Sequence, residues 1–388
     1  MKVAIAITAL VLVAAACGGG GHGGPPGPTN TALTATPMPT LPSISTPTAT
    51  LGPTATPIPT TTARPAPTPT PRPPPTPIPT SRAQIPTVDA AESTEDAVLE
   101  RDYEPVVVRD FAIAGHIPNA VFLDNEDIVD LIYVTREGFI EMEASDGVNF
   151  SSEEEPRQDL TMILDEVGLL AVGAIVRERK NDSRRYFLGG LPPPEQSERF
   201  VYSADPTSNG NLELKNNGDP IYLGGPSDKN HVGVIDITVA PDGQWRMFYV
   251  SVRSERGNTR TALSDDEGIS WVFESDDPFK DLDAPKKAQT TNVDPAVLRL
   301  NDSTYLGVTM RGGQLFIWNS LDGLDFTQIP DRTIDASLFS EQVPGATGLF
   351  DPTIVQLPDD TIYLYVTAGG DPSAGDARIV AAQLVPLP

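Results

Sequence analysis

Three aspartates, Asp236, Asp294 and Asp351, recur at intervals of 58 and 57 residues, each opening a short apolar run that ends in turn-forming residues. Asn119 and Gly173 extend the series upstream, at intervals of 54 and 63. Seventeen residues beyond these five positions stand Arg136, Gly190, Arg253, Arg311 and Ala368, so three arginines share a second register. Two carboxyl groups flanking a glycosidic bond can serve as acid and base, or as acid and nucleophile. Carboxylate acceptors beside guanidinium donors also suit ligands rich in hydroxyl groups, such as sugars. Asp236, Asp294 and Asp351 are therefore the catalytic candidates, with Asn119, Arg136, Arg253 and Arg311 as binding candidates. The same residues could equally cap backbone amides and neutralise one another, which would make a scaffold of them.

The elements that must hold these residues are strands. From residue 88 onward no long helical periodicity appears, and runs of Val, Ile, Leu, Tyr and Phe alternate with Gly, Asp, Asn and Pro, the pattern of an all-β domain. Five segments share one plan of strand, polar turn and apolar strand: they start at Ile117, Val172, Ile235, Val293 and Phe350. A repeat of that length is the mark of a radial or solenoid architecture. Five units of four strands around a central channel make a β-propeller. The fifth unit stops soon after a third strand near residues 377–385, so the run Pro105–Phe111 is expected to fill its outer position and close the ring. An irregular sixth blade around residues 196–230 is the alternative count.

A second marker follows the first in each unit. Ser264–Trp271 reads S-D-D-E-G-I-S-W, Ser320–Phe326 reads S-L-D-G-L-D-F, Ser145–Phe150 reads S-D-G-V-N-F, and Ser203-Ala-Asp205 is a weak trace. The first of these matches the Asp-box of sialidases, and residues 103–388 resemble a propeller of the sialidase and glycoside hydrolase family 43 type. That resemblance implies a hairpin turn between third and fourth strands at each Asp-box, with no chemical role. It implies glycoside cleavage or glycan recognition at the face where first strands begin and second strands end. In family 43 an Asp of the first blade is the usual base, and Asn119 stands there in this chain. Sialidases use three arginines to grip a carboxylate, which Arg136, Arg253 and Arg311 could imitate, but their F/Y-R-I-P motif appears here as G-H-I-P with His116 in place of the arginine. His116 is kept as a binding candidate. A binding or scaffold propeller that recognises protein or carbohydrate without cleavage is the competing expectation.

The remaining sequence is an address and a spacer. Lys2, the apolar run Val3–Val13 and Ala14-Ala15-Ala16 end at Cys17, the only cysteine of 388 residues. The run is too short for a membrane span and resembles a bacterial lipoprotein signal in which Cys17 is lipidated. Residues 18–87 contain no Asp or Glu and, from Pro25 on, 20 of the 40 prolines. Such a tract cannot build a core and forms a semi-extended tether of up to roughly 200 Å. The domain, residues 88–388, then carries 23 basic and 53 acidic groups. That excess excludes nucleic acid as a partner held by general electrostatics. Neither a phosphate-cradling glycine loop nor zinc or calcium ligand spacing occurs, so no cofactor and no metal are expected. The chain is expected to be a monomeric, lipid-anchored, extracytoplasmic protein with carbohydrate as its partner.

Overall fold

A computed structural model describes residues 101–135, 137–151, 156–181, 183–191, 200–209, 211–223, 232–251, 259–279, 292–370 and 376–387. Cys17, the tether, Arg136 and Arg253 lie outside the described residues.

The described residues form a five-bladed β-propeller. Blade 1 holds β2 (His116–Leu123), β3 (Ile128–Thr135) and β4 (Gly138–Ala144). Blade 2 holds β5 (Leu170–Glu178), β6 (Arg184–Leu191), β7 (Phe200–Pro206) and β8 (Leu212–Leu214), the last two within the segment weighed as a sixth blade. Blade 3 comprises β9 (Val232–Val239), β10 (Trp245–Ser251), β11 (Thr259–Ser264) and β12 (Val272–Asp276). Blade 4 comprises β13 (Val293–Arg299), β14 (Tyr305–Arg311), β15 (Gln314–Ser320) and β16 (Thr327–Ile334). Blade 5 contains β17 (Gly348–Gln356), β18 (Ile362–Gly369) and β19 (Arg378–Pro386), and its fourth strand is β1 (Tyr103–Ala114), which pairs antiparallel with β19. The ring closes with the two ends of the domain in one sheet, as the run Pro105–Phe111 implied.

Burial follows position in the blade. Every residue of β10 is buried, and β3 and β14 are buried at all but their ends, because second strands are covered by sheets on both faces. Strand β1 alternates with exposed positions, as an outer strand must. Among the described residues blade 1 has three strands where the other blades have four. Helix α1 (Gln158–Glu166) follows β4 in the chain, burying Leu160, Ile163 and Leu164 at the i, i+3, i+4 spacing of an amphipathic helix. These side chains join a core shared with Val176 and Leu188 of blade 2.

Turns that follow the third strands pin neighbouring blades. In Ser264–Trp271, Asp266 Oδ1 accepts from the amides of Ile269 and Ser270, and Ser264 Oγ accepts from Gly268 N at 2.7 Å. Gly268 sits at φ 86°, where a Cβ would strike the Phe187 ring at 2.6 Å, so only glycine fits. Asp322 Oδ1 makes the same pair of bonds to Leu324 N and Asp325 N, and Asp146 Oδ1 to Val148 N and Asn149 N. Each turn receives a donor from the preceding blade. Arg185 Nη1 bonds Glu267 O, Arg246 Nη1 bonds Asp322 O and Gly323 O, and Tyr365 Oη donates to Gly147 O. Asp205 of the weak trace is no turn residue: it lies on β7 and holds Arg185 in a fork of two 2.6 Å bonds.

Candidate functional site

The entry of each first strand is shaped by an irregularity in its ladder. Register slips fall between His116 and Asn119, between Val293 and Ala296, and between Phe350 and Thr353. Each spans a proline, Pro118, Pro295 or Pro352, which has no amide hydrogen to give the ladder. The residue before it takes a left-handed conformation: Ile117 at φ 53°, Asp294 at φ 48° and Asp351 at φ 49°. For a β-branched residue such as Ile117 that is a strained geometry. In blade 1 it is held by a bond from Ile117 N to Thr367 Oγ1 of blade 5, at 3.0 Å.

Aligning the slips corrects the equivalence drawn from spacing. Asp294 and Asp351 correspond to Ile117, two residues before Asn119, while Asn119 corresponds to Ala296 and Thr353. In β9 the slip lies between Val232 and Ile235, so Gly233 takes the aspartate position and Asp236 lies three residues deeper. The rim thus carries two carboxylates in register, Asp294 and Asp351, both half-buried, while blade 1 presents the hydrocarbon of Ile117.

Asp236 is part of the wall. It is 5 % exposed, and both oxygens are engaged: Oδ1 accepts from Arg177 Nη2 at 2.5 Å and Ile237 N at 2.8 Å, and Oδ2 from Val297 N at 2.6 Å. Every partner is a donor, the pattern that an ionised carboxylate satisfies. Burial pushes this carboxyl up, against the pull of Arg177 and the two amides, and burial likewise lowers the Arg177 guanidinium. Arg177, which spacing did not single out, is the hub. Its Nε donates to Ile237 O at 2.6 Å and its Nη1 reaches Asn119 Oδ1 at 3.4 Å. Ala120 N donates to Thr353 Oγ1 at 3.1 Å. Bonds thereby run from blade 5 to 1, 1 to 2, 2 to 3 and 3 to 4 around the channel.

Beside this belt lies a small cleft open to solvent, with a volume of about 50 Å³. Asn119, Asp236, Asp351 and the three prolines of the rim line it, with Gly173, Gly189 and Gly190 of blade 2. The other candidates point elsewhere. Arg311 bonds Asn292 Oδ1 at 3.0 Å and stacks 4.4 Å over the Phe316 ring in its own blade. His116 is half-buried opposite Val134, where burial pushes its imidazole below the ordinary value. Neither lines the cavity. Tyr365 is fully buried, and its hydroxyl is spent on Gly147 O. Tyr365→Phe is expected to lower unfolding free energy by about 1–2 kcal/mol, since it strands that carbonyl, and to leave ligand binding unchanged. Urea titration beside a binding isotherm measures both.

No protein-family model matches the chain, and no curated protein matches it. Solved structures do. A thermostable family-43 glycoside hydrolase aligns at 12 % identity with a TM-score of 0.51, over 73 % of this chain and 92 % of its own. An α-L-arabinofuranosidase from Lactobacillus brevis aligns at 10 % and 0.50, over 72 % and 95 %. A xylan β-1,4-xylosidase from Bacillus halodurans aligns at 13 % and 0.49, over 72 % and 54 %. The chain spans about half the length of that xylosidase and of a family-43 protein from Bacillus licheniformis. At such identities the likeness is one of fold: the propeller is built like those of family-43 glycoside hydrolases.

Proposed function

We propose that this propeller recognises neutral carbohydrate at the mouth of its channel, and that it does not cleave glycosides through the carboxylates its repeats suggest. The observation that carries this reading is the engagement of Asp236. A carboxylate accepting from an arginine and two amides is poorly placed to take a proton from water or give one to a leaving group, and blade 1 offers Ile117 in the register of the remaining aspartates. Fold likeness to glycoside hydrolases supports a sugar as ligand, and Asp351 supplies an acceptor at the cavity wall. The acidic balance of the domain, with Arg311 committed to Asn292 and Phe316, disfavours sialosides and other anionic sugars. The Asp-box-like turns serve as blade pins in this reading. A lipid on Cys17 and the proline-rich tether would present the domain outside the cell.

Incubation with nitrophenyl arabinosides, xylosides and sialosides is expected to release no nitrophenol above the blank, while a glycan array retains neutral oligosaccharides. Asp351→Asn should weaken that retention about tenfold, the loss of one charge-assisted hydrogen bond. Turnover of any of these glycosides that Asp351→Asn or Asp294→Asn abolishes would replace recognition by hydrolysis.

A further inference from the structure

The seam between blades 1 and 2 is held differently from the next seam along the ring. Near the channel Arg177 Nη1 reaches Asn119 Oδ1 at 3.4 Å, and where β2 and β5 end Asp124 N donates to Glu178 Oε2 at 3.3 Å. The same arginine meets Asp236 and Ile237 O of blade 3 at 2.5 and 2.6 Å. Farther from the channel the seam carries charge. Asp130 of β3 is fully buried and meets Arg184 of β6 through Oδ2, while its Oδ1 has no hydrogen-bond partner among the described residues. Glu126 of the β2–β3 turn and Glu141 and Glu143 of β4 turn to the same guanidinium. Arg157, just before α1, is shared between Glu141 and Asp159, and Tyr186 of β6 donates to Glu141. Five carboxyl groups thus face two guanidinium groups. The apolar part of the seam depends on α1, whose Leu160, Ile163 and Leu164 cluster with Ile132 and Phe139 of blade 1 and with Val176 and Leu188 of blade 2. That helix has little else to hold it. It is nine residues long, no side chain caps its start, and Asp165 and Glu166 stand at the end where the helix dipole disfavours negative charge.

We infer that this seam is a proton-controlled joint: it stays shut over α1 while Asp130 is protonated, and when Asp130 ionises the seam and α1 open together while blades 3 to 5 keep their sheets. An ionised Asp130 leaves Oδ1 as an unmatched charge in the interior, and opening brings water to it. Burial is the chief reason that this carboxyl is pushed up to about 7; Arg184 pulls it down, Glu143 pushes it up, Arg157 pulls it down and Glu126 pushes it up. Once hydrated it returns to the ordinary value of about 4. Between the two values the closed form holds the proton and the open form does not, so opening grows with pH up to about 7 and levels off above it. The cleft straddles the same joint, with Ile117, Pro118 and Asn119 on one side and Gly173 and Ala174 on the other, so opening alters its wall.

Hydrogen exchange of the full chain over pH 5–8, read by mass spectrometry and corrected for the intrinsic rate, follows α1 against β10 and β14. The opening constant of α1 is expected to rise by up to about tenfold per pH unit between pH 5 and 7 and then to level off. Strands β10 and β14 should stay on the order of a hundredfold better protected than α1 at every pH, as elements outside the opening unit. Asp130→Asn should remove the pH dependence and hold α1 within about threefold of the parent's protection at pH 5. Glu143→Gln, a change at the half-exposed edge of the cluster, leaves Arg184 freer for Asp130 and should move the levelling-off to lower pH. This second variant keeps the test decisive if Asp130→Asn folds poorly. Corrected exchange of α1 that does not vary with pH overturns the joint, and so does a pH dependence that survives Asp130→Asn. Exchange of α1 no faster than that of β10 and β14, with the same pH dependence, would make the proton's effect one of global unfolding and overturns it as well.

Discussion

Asp236→Ala is expected to cost about 3–5 kcal/mol of unfolding free energy, the usual consequence of leaving one member of a buried ion pair alone. The substitution leaves the Arg177 guanidinium, whose side chain is 15 % exposed, without its anion. It also strands Ile237 N and Val297 N, which donate to the same carboxylate. Asp236→Asn does not rescue the site. Both oxygens face donors, so the amide nitrogen must point at a guanidinium or at a backbone N–H whichever way it is turned, and a loss of about 1–3 kcal/mol remains. Combining Asp236→Leu with Arg177→Met should recover part of the loss of either single change, because no uncompensated charge is left in the wall. Urea unfolding of the parent, Asp236→Leu, Arg177→Met and the double variant gives the coupling energy directly. An Asp236→Asn protein as stable as the parent, with its ligand chemistry lost, would return Asp236 to the role of acid or base.

The contrast between Asp236 and Asp351 also marks how far the sequence could be read. The blade count, the closing strand before residue 115 and the turn at Ser264–Trp271 were legible, because each depends on local alternation or on a motif repeated at nearly constant spacing. Register inside the first strands was not. A bulge adds one residue on one side of a ladder, and counting along the chain cannot tell whether it falls before or after an aspartate. Equating Asn119 with Asp294 ignored the one local signal available: Ile117-Pro118 matches Asp294-Pro295 and Asp351-Pro352 as dipeptides, and proline is what breaks the ladder. Arg177 escaped for another reason. It sits in the run Arg177-Glu178-Arg179-Lys180, which reads as a solvated strand end, and only the fold carries its side chain across to Ile237 and Asp236. Helix α1 was too short to outweigh the strand pattern around it, although Leu160, Ile163 and Leu164 already had helical spacing.

A second charged cluster predicts how stability changes with pH. Asp130 on β3 is fully buried, and its carboxyl is pushed up to about 7, chiefly by that burial. Arg184 of β6 opposes the rise through a 3.1 Å contact to Oδ2, but it also serves Glu126 from the β2–β3 turn and Glu141 and Glu143 from β4. Glu143 and Glu126 push Asp130 further up, while Arg157 pulls it down. Arg157 is itself engaged with Glu141 and Asp159, and Tyr186 Oη donates to Glu141 at 3.1 Å. One guanidinium shared among four carboxylates cannot neutralise the deepest of them, and Asp130 Oδ1 has no hydrogen-bond partner among the described residues.

Between the unfolded value of about 4 and the folded value near 7, the folded state holds the proton and the unfolded state does not, so stability falls as pH rises through that window. The slope is at most about 1.4 kcal/mol per pH unit, a total on the order of 4 kcal/mol by pH 8. Carboxyls held below their ordinary value, such as Asp205 beside Arg185 and Asp266 in its turn, act with the opposite sign and lose their contribution only below about pH 4. The windows do not overlap. Asp130→Asn should therefore have nearly the parent's stability at pH 4 and exceed it by roughly 2–4 kcal/mol at pH 8, its amide replacing the neutral acid in the same space. Denaturant midpoints of the two proteins across pH 4–8 test this as a difference, in which the titrating groups remote from Asp130 cancel. A difference that stays flat over that range would mean that Arg184 keeps Asp130 ionised throughout, and the excess of acid at the boundary of blades 1 and 2 would then carry no stability penalty.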